Sequence, residues 1–228
     1  KVIVFDNRFI SERVNQIRNW NMEFVHGDIL DKELVRNLFK DADIVHHLAG
    51  ITDVPRTKSE SDKFKDEKII EVGQTGTQNI LDVINQNCKI IFPSTHVVFE
   101  GLNDVRKNIQ EEEATKPILS YSTSKAINEK QLKESGKNYI ILRLGSVYGY
   151  STDTMRIDIM PNLFSKIASQ NGTLKLFAAG RQIKSMVPLI DVARCFKFME
   201  ENDQIKSELF NITKDTLTVK EVAEICKK

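Results

Sequence analysis

The stretch Lys89-Ile-Ile-Phe92-Pro-Ser94-Thr95 decides the fold, because it is a continuous apolar run that stops at two hydroxyl side chains. A strand with one face in water alternates apolar and polar residues, whereas a strand covered on both faces is apolar throughout. We therefore predict a buried strand of a parallel sheet over Lys89–Phe92, with Ser94 and Thr95 just beyond its carboxyl end.

Similar runs recur on both sides of this stretch and alternate with amphipathic segments. The other strands predicted in this part of the chain are Val2–Phe5, Glu23–His26, Ile44–Leu48 and Tyr139–Leu144. The predicted helices follow caps at Ser11 and Asp31, cover Asp66–Gln86, and begin near Tyr121. Gly73 and Gly76 lie inside the long helix and should have a packing reason, such as a close approach to the sheet. The regular alternation predicts an α/β doubly wound parallel sheet.

After Gly149 the alternation loosens, and we predict a smaller, largely C-terminal lobe. Its predicted elements are helices from Pro161 and Asp191, strands over Leu174–Phe177 and Leu209–Ile212, and a last helix with a capping box of Thr218 and Glu221. The change of pattern divides the chain near residue 150.

The composition excludes several classes of function. The chain has 33 basic and 32 acidic residues, so its net charge of +1 offers no attraction to nucleic acid or to an anionic membrane. No apolar run approaches the roughly 18 residues that span a bilayer. The cysteines Cys88, Cys195 and Cys226 follow no metal-ligand spacing, so we expect no metal site, and free thiols in a reducing, cytoplasmic compartment are the simplest interpretation.

The strongest chemical signal is Tyr121-Ser-Thr-Ser-Lys125. A spacing of four places both side chains on one face of a helix. An ammonium beside a phenol stabilises the phenolate, and the tyrosine can then act as a general base near neutral pH. Such pairs also arise on ordinary helix surfaces, so this pair indicates a catalytic site only together with other motifs.

Ser94 and Thr95 form one such motif, since sites in α/β sheets form beyond the carboxyl ends of strands. Both residue types are also common in ordinary turns.

A series of short motifs follows one another along the chain. In order they are Asp6-Asn7, Gly27-Asp28-Ile29, Val45-His-His-Leu48-Ala49-Gly50, Gly76-Thr77 with Asn79, Ser94-Thr95, Tyr121 with Lys125, Arg143 with Val147-Tyr148-Gly149, and Val187-Pro-Leu-Ile-Asp191. Each is weak alone, but the ordered set resembles the extended short-chain dehydrogenase/reductases, the NAD-dependent epimerase/dehydratase family that acts on nucleotide sugars. The resemblance implies a Rossmann-type NAD-binding domain over residues 1–150 and a mainly substrate-binding lobe over residues 151–228, some segments of which return to the main domain.

The resemblance also implies roles for individual positions. The catalytic residues would be Thr95, Tyr121 and Lys125, with the tyrosine as acid/base. The NAD contacts would be Asp6, Asn7, Asp28, Ile29, Leu48, Ala49, Gly50, Tyr121 and Lys125, and the substrate contacts would be Thr95, Ser146 and Lys184. A carboxylate at Asp6 accepts hydrogen bonds from a ribose diol and repels a 2′-phosphate, so NAD is favoured over NADP, although Arg8 weakens that preference. His46 and His47 are expected to pack against neighbours rather than to act in catalysis.

Several positions depart from the family pattern. No glycine-rich turn precedes the first strand, the chain opens without methionine, and it ends in a helix-like run. We therefore expect residues to be missing at both ends, and the alternative is a protein that cannot bind a dinucleotide in the usual way. Gly73 and Ser146 stand where the family has asparagine, and Lys184 replaces an arginine, which keeps the charge but loses the bidentate geometry. His96 and Val97 stand where sugar 4,6-dehydratases have an Asp-Glu pair, which disfavours dehydration.

We therefore expect an NAD-dependent epimerase of a nucleoside-diphosphate sugar. Two alternatives stay open: a nucleotide-sugar reductase or dehydrogenase, which would consume free NAD(H), and a non-catalytic dinucleotide-binding protein on the same fold. The resemblance further implies a homodimer formed through the helices that contain Gly76 and Tyr121.

Overall fold

The computed structural model describes residues 1–52, 62–151 and 155–227. They form two units, each made of two chain segments. Unit 1 comprises Lys1–Phe92 and Pro117–Tyr139, and unit 2 comprises Pro93–Lys116 and Ile140–Lys228. The functional division into a cofactor domain and a substrate lobe stays a prediction.

Unit 1 is built from short parallel strands and the helices that connect them. Its elements are β1 (Ile3–Asp6), α1 (Ser11–Asn19), β2 (Glu23–His26), α2 (Lys32–Phe39), β3 (Ile44–His46), α3 (Lys63–Val83), the start of β4 (Lys89–Thr95) and α4 (Ser120–Glu134). β1 pairs in parallel with β2, so that Asp6 lies opposite His26, and β3 pairs in parallel with β4, so that His46 lies opposite Ile91. Parallel pairing brings the carboxyl ends of paired strands to the same edge.

Unit 2 contains the end of β4 and most of the remaining chain. Its elements are a 3₁₀ turn over His96–Phe99, nearly all of β5 (Asn138–Leu144), β6 (Ser146–Tyr148), α5 (Met160–Ser169), a second 3₁₀ turn over Phe177–Gly180, β7 (Ile183–Pro188), α6 (Leu189–Glu201), β8 (Glu208–Ile212), β9 (Asp215–Thr218) and α7 (Val219–Cys226). β5 pairs in parallel with β8, and β6 pairs in parallel with β7. β9 adds an antiparallel strand to β7.

The strand that decided the predicted fold is buried, as expected. Every residue of β4 except Pro93 is buried, and Ile90 and Ile91 are fully inaccessible to solvent. Burying one such side chain stabilises the fold by about 2 kcal/mol. The strand runs past Phe92 to Thr95, so the hydroxyl residues belong to its end. The parallel pairing of β1 with β2, of β3 with β4 and of β5 with β8, with helices between strands along the chain, confirms the α/β class.

The helix caps agree with the prediction at two of three positions. The Asp31 side chain accepts a hydrogen bond from the first turn of α2, and Thr218 forms a capping box with Glu221 at the start of α7. Each such cap stabilises a helix by about 1 kcal/mol. The prediction of a cap at Ser11 was wrong. Ile10 occupies the extended cap position without a side-chain bond, and Ser11 is already the first helical residue.

The strand predicted over Leu174–Phe177 does not form. Leu174 and Leu176 pack against a buried cluster in unit 2, but the segment has no ladder partner and leads into the second 3₁₀ turn. Within that turn Ala178 and Ala179 have φ of 47° and 56°, in the left-handed region that no strand continues. The alternating leucines thus reflect packing of an irregular segment on one side. The strands β6, β7 and β9 were not predicted from the sequence.

The helices of the described chain are amphipathic. α2 buries Val35 while the charged side chains at its start face solvent. The longest helix, α3, has 21 residues but carries charges along its first half. Among the residues that the structure describes, no helix is long and apolar enough to cross a membrane.

Candidate active site

The predicted pair Tyr121 and Lys125 lies in the first turns of α4. The helix begins at Ser120, and the Ser122 hydroxyl donates to the Leu119 carbonyl oxygen at 2.9 Å, which supports the first turn. Lys125 Nζ lies 6.0 Å from the centre of the Tyr121 ring. The structure therefore brings these two side chains together on one helix.

Lys125 is a buried cation. Only 8% of the residue is exposed, and its Nζ lies 4.3 Å from the centre of the Phe92 ring. Burial lowers the pKa of Lys125 to about 8, and the nearby carboxylate of Glu129 opposes that shift. The lysine therefore remains mostly protonated at pH 7, although losing its proton costs far less than for a lysine in water.

Close packing of α3 holds α4 in place. A Cβ atom added to Gly73 would lie 2.0 Å from Ser124 Oγ, so only glycine permits this approach. The amide of Asn128 donates to the Gly73 carbonyl oxygen at 3.0 Å across the same contact. Gly73 thus has the packing reason that we predicted, although its close contact is with α4 and not with the sheet that served as the example. Gly76 lies against Ile29, whose Cγ2 would be 2.8 Å from an added Cβ.

His47 lies beside the lysine in the interior of unit 1. It is 3% exposed, its Nε2 lies 2.9 Å from Thr77 Oγ1, and its ring centre lies 5.3 Å from that of Phe92. Burial, assisted by the charge of Lys125, lowers the pKa of His47 to about 3. His47 packs against neighbours as expected, whereas His46 is exposed. We call His47, Thr77, Phe92 and Lys125 the buried floor.

Two carboxylates stand at the ends of β1 and β2. Asp6 Oδ1 accepts a hydrogen bond from the Arg8 backbone N–H at 2.8 Å, and Asp28 Oδ1 accepts one from the Leu30 N–H at 2.9 Å. Asn7 bridges the two strand ends, since its Nδ2 donates to Asp28 Oδ2 at 3.2 Å. We call Asp6, Asn7 and Asp28 the carboxylate edge. Both carboxylates are oriented by backbone donors while Asp6 is exposed and Asp28 half-buried, so a ligand hydroxyl can reach them.

The remaining predicted cofactor contacts of unit 1 differ in exposure. Ile29 is 6% exposed, and its carbonyl oxygen accepts a hydrogen bond from Asn79 Nδ2 at 3.0 Å. Leu48 is 60% exposed, and Ala49 and Gly50 that follow it are exposed as well. A Cβ atom added to Gly50 would meet no atom within 4 Å. The segment after β3 therefore offers an open apolar surface to a flat ring.

The predicted substrate residues belong to unit 2. Thr95 is buried at the end of β4, and its Oγ1 accepts a hydrogen bond from the Val97 N–H at 3.3 Å. Ser146 is half-buried at the start of β6, and Lys184 is exposed on β7. His96, which sequence analysis noted only as a departure, lies 3.0 Å from the Leu144 carbonyl oxygen through Nδ1. Burial, mainly, lowers the pKa of His96, and the charge of Lys184 adds to this effect.

Among the described residues, no group of three or more His, Cys, Asp or Glu side chains could hold a metal ion. The thiols of Cys88, Cys195 and Cys226 are free. Burial raises the pKa of Cys88 to about 11, so this thiol is unreactive at neutral pH.

The fold and the residues at the ends of its strands define a class of protein. Parallel strands alternating with helices, carboxylates at two neighbouring strand ends, and a tyrosine–lysine pair on one helix are typical of Rossmann-type dehydrogenase-like proteins. The sequence profile described as "NAD dependent epimerase/dehydratase family" matches residues 1–213. The chain belongs to this family.

Two relatives illustrate its place among curated proteins. The chain is 27% identical over 236 residues to a dTDP-D-glucose 4,6-dehydratase of Dictyostelium discoideum, in a match that covers 94% of the chain and 52% of the relative. It is 28% identical to a CDP-paratose 2-epimerase of Salmonella typhi, with 92% of the chain and 71% of the relative covered. The chain thus spans about half of the first relative's length.

Solved structures confirm the Rossmann-type fold. The UDP-glucose 4-epimerase of Thermotoga maritima, determined with UDP-glucose, superposes with a TM-score of 0.80 at 24% identity, covering 99% of this chain and 73% of its own. A UDP-glucuronic acid 4-epimerase from Bacillus cereus, determined with UDP-glucuronic acid and NAD, gives a TM-score of 0.79 at 22% identity, with 99% and 74% covered. At these identities the likeness establishes the fold.

Proposed function

We propose that the protein catalyses the NAD-dependent epimerisation of a nucleoside-diphosphate sugar. The observation that carries the proposal is the buried ammonium of Lys125 beside Tyr121 on α4. Burying a cation costs free energy, and perturbed buried lysines concentrate at functional sites. Membership of the epimerase/dehydratase family supports a catalytic role for Tyr121 and Lys125. Relatives named for dTDP- and CDP-sugars support the substrate class.

The residues of unit 1 fit a dinucleotide. Asp6 offers an exposed carboxylate that can accept hydrogen bonds from a ribose diol, and Asp28 lies at the neighbouring strand end. The exposed segment from Leu48 to Gly50 leaves space for a flat ring. Bound NAD would take up a hydride from the sugar and return it.

The side chains of the protein would supply binding and proton transfer. Tyr121, as phenolate, would take the proton of a sugar hydroxyl and later return it. Lys125 would stabilise that phenolate and hydrogen-bond the ribose on the nicotinamide side of the cofactor. Thr95 and Ser146 would hydrogen-bond the sugar, and Lys184 would attract the diphosphate.

The residues after Thr95 favour epimerisation over dehydration. Elimination of water needs an acid and a base on the sugar carbons, and the family's dehydratases carry two carboxylates at these positions. Here one position is Val97, and the other is His96, which burial keeps neutral at pH 7. A neutral imidazole bonded to the Leu144 carbonyl oxygen and an alkyl group are poor substitutes for that pair.

The first experiment is to denature the purified protein and to identify any released nicotinamide cofactor by absorbance and mass. An epimerase regenerates its cofactor in each cycle, so we expect tightly held NAD at close to one per chain. Screening of UDP-, dTDP- and CDP-sugars by NMR would then identify the substrate. Steady consumption of added NAD(H) during turnover would instead identify a reductase or dehydrogenase. Neither released cofactor nor binding of NAD or NADP in calorimetry would favour a non-catalytic protein.

We also propose that the protein is a homodimer formed through α3 and α4. The two helices pack against each other through Gly73, and Phe64 on α3 is 79% exposed. A large exposed aromatic side chain is typical of an interface. Light scattering should give twice the mass of the chain, and a monomer at micromolar concentration would contradict the proposal.

A further inference from the structure

The Phe92 ring contacts two side chains that differ in charge. Lys125 Nζ is 4.3 Å from its ring centre, and the His47 ring centre is 5.3 Å away at an interplanar angle of 39°. A cation over a desolvated aromatic ring gains about 2 kcal/mol, provided that the ring keeps its orientation. The position of the Phe92 ring therefore matters to the protonated lysine.

His47 is fixed through both its backbone and its side chain. Its backbone N–H donates to the Ile91 carbonyl oxygen at 2.9 Å, which continues the β3–β4 pairing by one residue beyond His46. Its Nε2 lies 2.9 Å from Thr77 Oγ1 on α3. The imidazole thus has a single orientation against Phe92.

The electrostatics of the buried floor disfavour the protonated form of His47. A protonated imidazole here would face the Lys125 ammonium in the interior, and among the described residues the carboxylate of Glu129 on α4 also acts on the lysine. Burial keeps the imidazole neutral throughout the physiological range. Among the described residues His47 Nδ1 has no hydrogen-bond partner. A core position that only needed volume would avoid this cost with an apolar side chain.

We propose that His47 is a positioning residue, a neutral imidazole held by Thr77 that fixes the Phe92 ring on which the Lys125 ammonium rests. The next residue, Leu48, is among the proposed cofactor contacts, so one short segment serves both the cofactor and the lysine. The inference rests on the catalytic role proposed for Lys125.

The test follows the titration of Lys125 in the whole protein without any ligand. The free energy of unfolding is measured from pH 7 to pH 11 with and without Lys125→Met, and the difference reports the lysine. The measurement is repeated in Thr77→Val, which keeps the side-chain volume but removes the hydroxyl that holds His47. If the Phe92 ring loses its orientation, the protonated form of Lys125 loses part of its cation–π stabilisation. The pKa of Lys125 should then fall by about half a pH unit or more. That shift is about a threefold change in proton affinity.

Two further variants separate positioning from ordinary stability. Thr77→Ser keeps the hydroxyl and should keep the wild-type titration. Ile80→Val shortens a buried side chain one turn further along α3, and should lower stability equally at every pH. If Thr77→Val behaves like Ile80→Val, the proposal is overturned.

Two safeguards keep the test decisive. If Thr77→Val does not fold, Phe92→Leu takes its place, because it removes the ring itself and should lower the titration further. An unchanged titration in that variant would also refute the proposal. The measurement contains neither NAD nor sugar, so its outcome does not depend on whether the protein is an epimerase.

Discussion

The buried floor and the carboxylate edge of unit 1 differ in the exposure of their titratable groups to solvent. On the floor, Lys125 and His47 are almost without solvent, and burial moves the pKa of each toward the neutral form. At the edge, Asp6 is exposed, and its charge is oriented by a backbone N–H. A buried cation lowers the stability of the fold but can take part in catalysis. An exposed charge costs little stability and can bind a ligand.

The largest expected effect concerns the phenol next to the floor. Tyr121→Phe removes the group that would exchange a proton with the sugar, so turnover should fall by about 10² to 10⁴-fold. NAD affinity, which depends mainly on contacts elsewhere, should change less than a few-fold. NMR of sugar conversion and calorimetry with NAD measure the two effects. Tyr139→Phe is the control and should retain full turnover. If Tyr121→Phe retains turnover within a few-fold, Tyr121 is not the acid/base.

The second expected effect is that replacing Lys125 changes stability and activity in opposite directions. The pKa of this lysine is about 8 in the folded protein and near 10.5 in the unfolded chain. Between these values the unfolded chain binds more protons, so stability should rise with pH, whereas below pH 8 the full cost of the buried cation remains. Lys125→Met should therefore be more stable at pH 7, by up to about 3 kcal/mol, while turnover is lost.

Denaturant unfolding at pH 7 and pH 10 measures this difference. Lys130→Met changes an exposed lysine on the same helix and serves as the control, since its ion pair with Glu134 is solvated. Wild-type and Lys125→Met proteins should converge as the pH rises, and the control should follow the wild type throughout. A Lys125→Met protein that is less stable than the wild type at pH 7 would contradict the interpretation of Lys125 as a costly buried cation.

The third effect appears on the acid side. The pKa of His47 is about 3 in the fold and 6.5 in the unfolded chain, so its contribution to stability is complete above pH 6.5 and is lost as the pH falls toward 3. At pH 5 the loss should be about 2 kcal/mol. His47→Phe should flatten the dependence of stability on pH between pH 7 and pH 5, leaving the effect of His96, whose pKa burial also lowers. Ile80→Val changes a buried side chain without a titrating group and should keep the wild-type slope, and equal slopes in all three proteins would refute the assignment.

The edge could be predicted from sequence, and the floor could not. Asp6 ends one strand-like run and Asp28 lies two residues beyond the next, and the resemblance to the family assigned both residues to the cofactor. The floor joins four side chains from distant parts of the chain: His47 just after β3, Thr77 on α3, Phe92 on β4 and Lys125 on α4. No local pattern in a sequence states which side chains meet in an interior. One signal was available: a buried strand that continues through two histidines must turn one of them inward.

The same contrast explains the errors in the fold. β4 was predicted correctly because burial on both faces leaves a continuous apolar run. The leucines of 174–177 alternate for a different reason, since they pack on a core from an irregular segment. Gly73 signalled a close contact, but its sequence could not say whether the partner was the sheet or α4.

The smallest expected effect sharpens the comparison at the carboxylate edge. Asp6→Asn keeps an oxygen that can accept from the Arg8 N–H, but it removes the charge that would repel a 2′-phosphate. Two like charges about 4 Å apart near a protein surface repel by about 1 to 4 kcal/mol. We therefore expect the ratio of the NADP and NAD dissociation constants to fall by about tenfold or more. Calorimetry with both cofactors measures this ratio. Glu12→Gln removes the same charge from α1 and should leave the ratio within twofold. If both variants change it equally, the overall charge of the surface, and not Asp6, selects the cofactor.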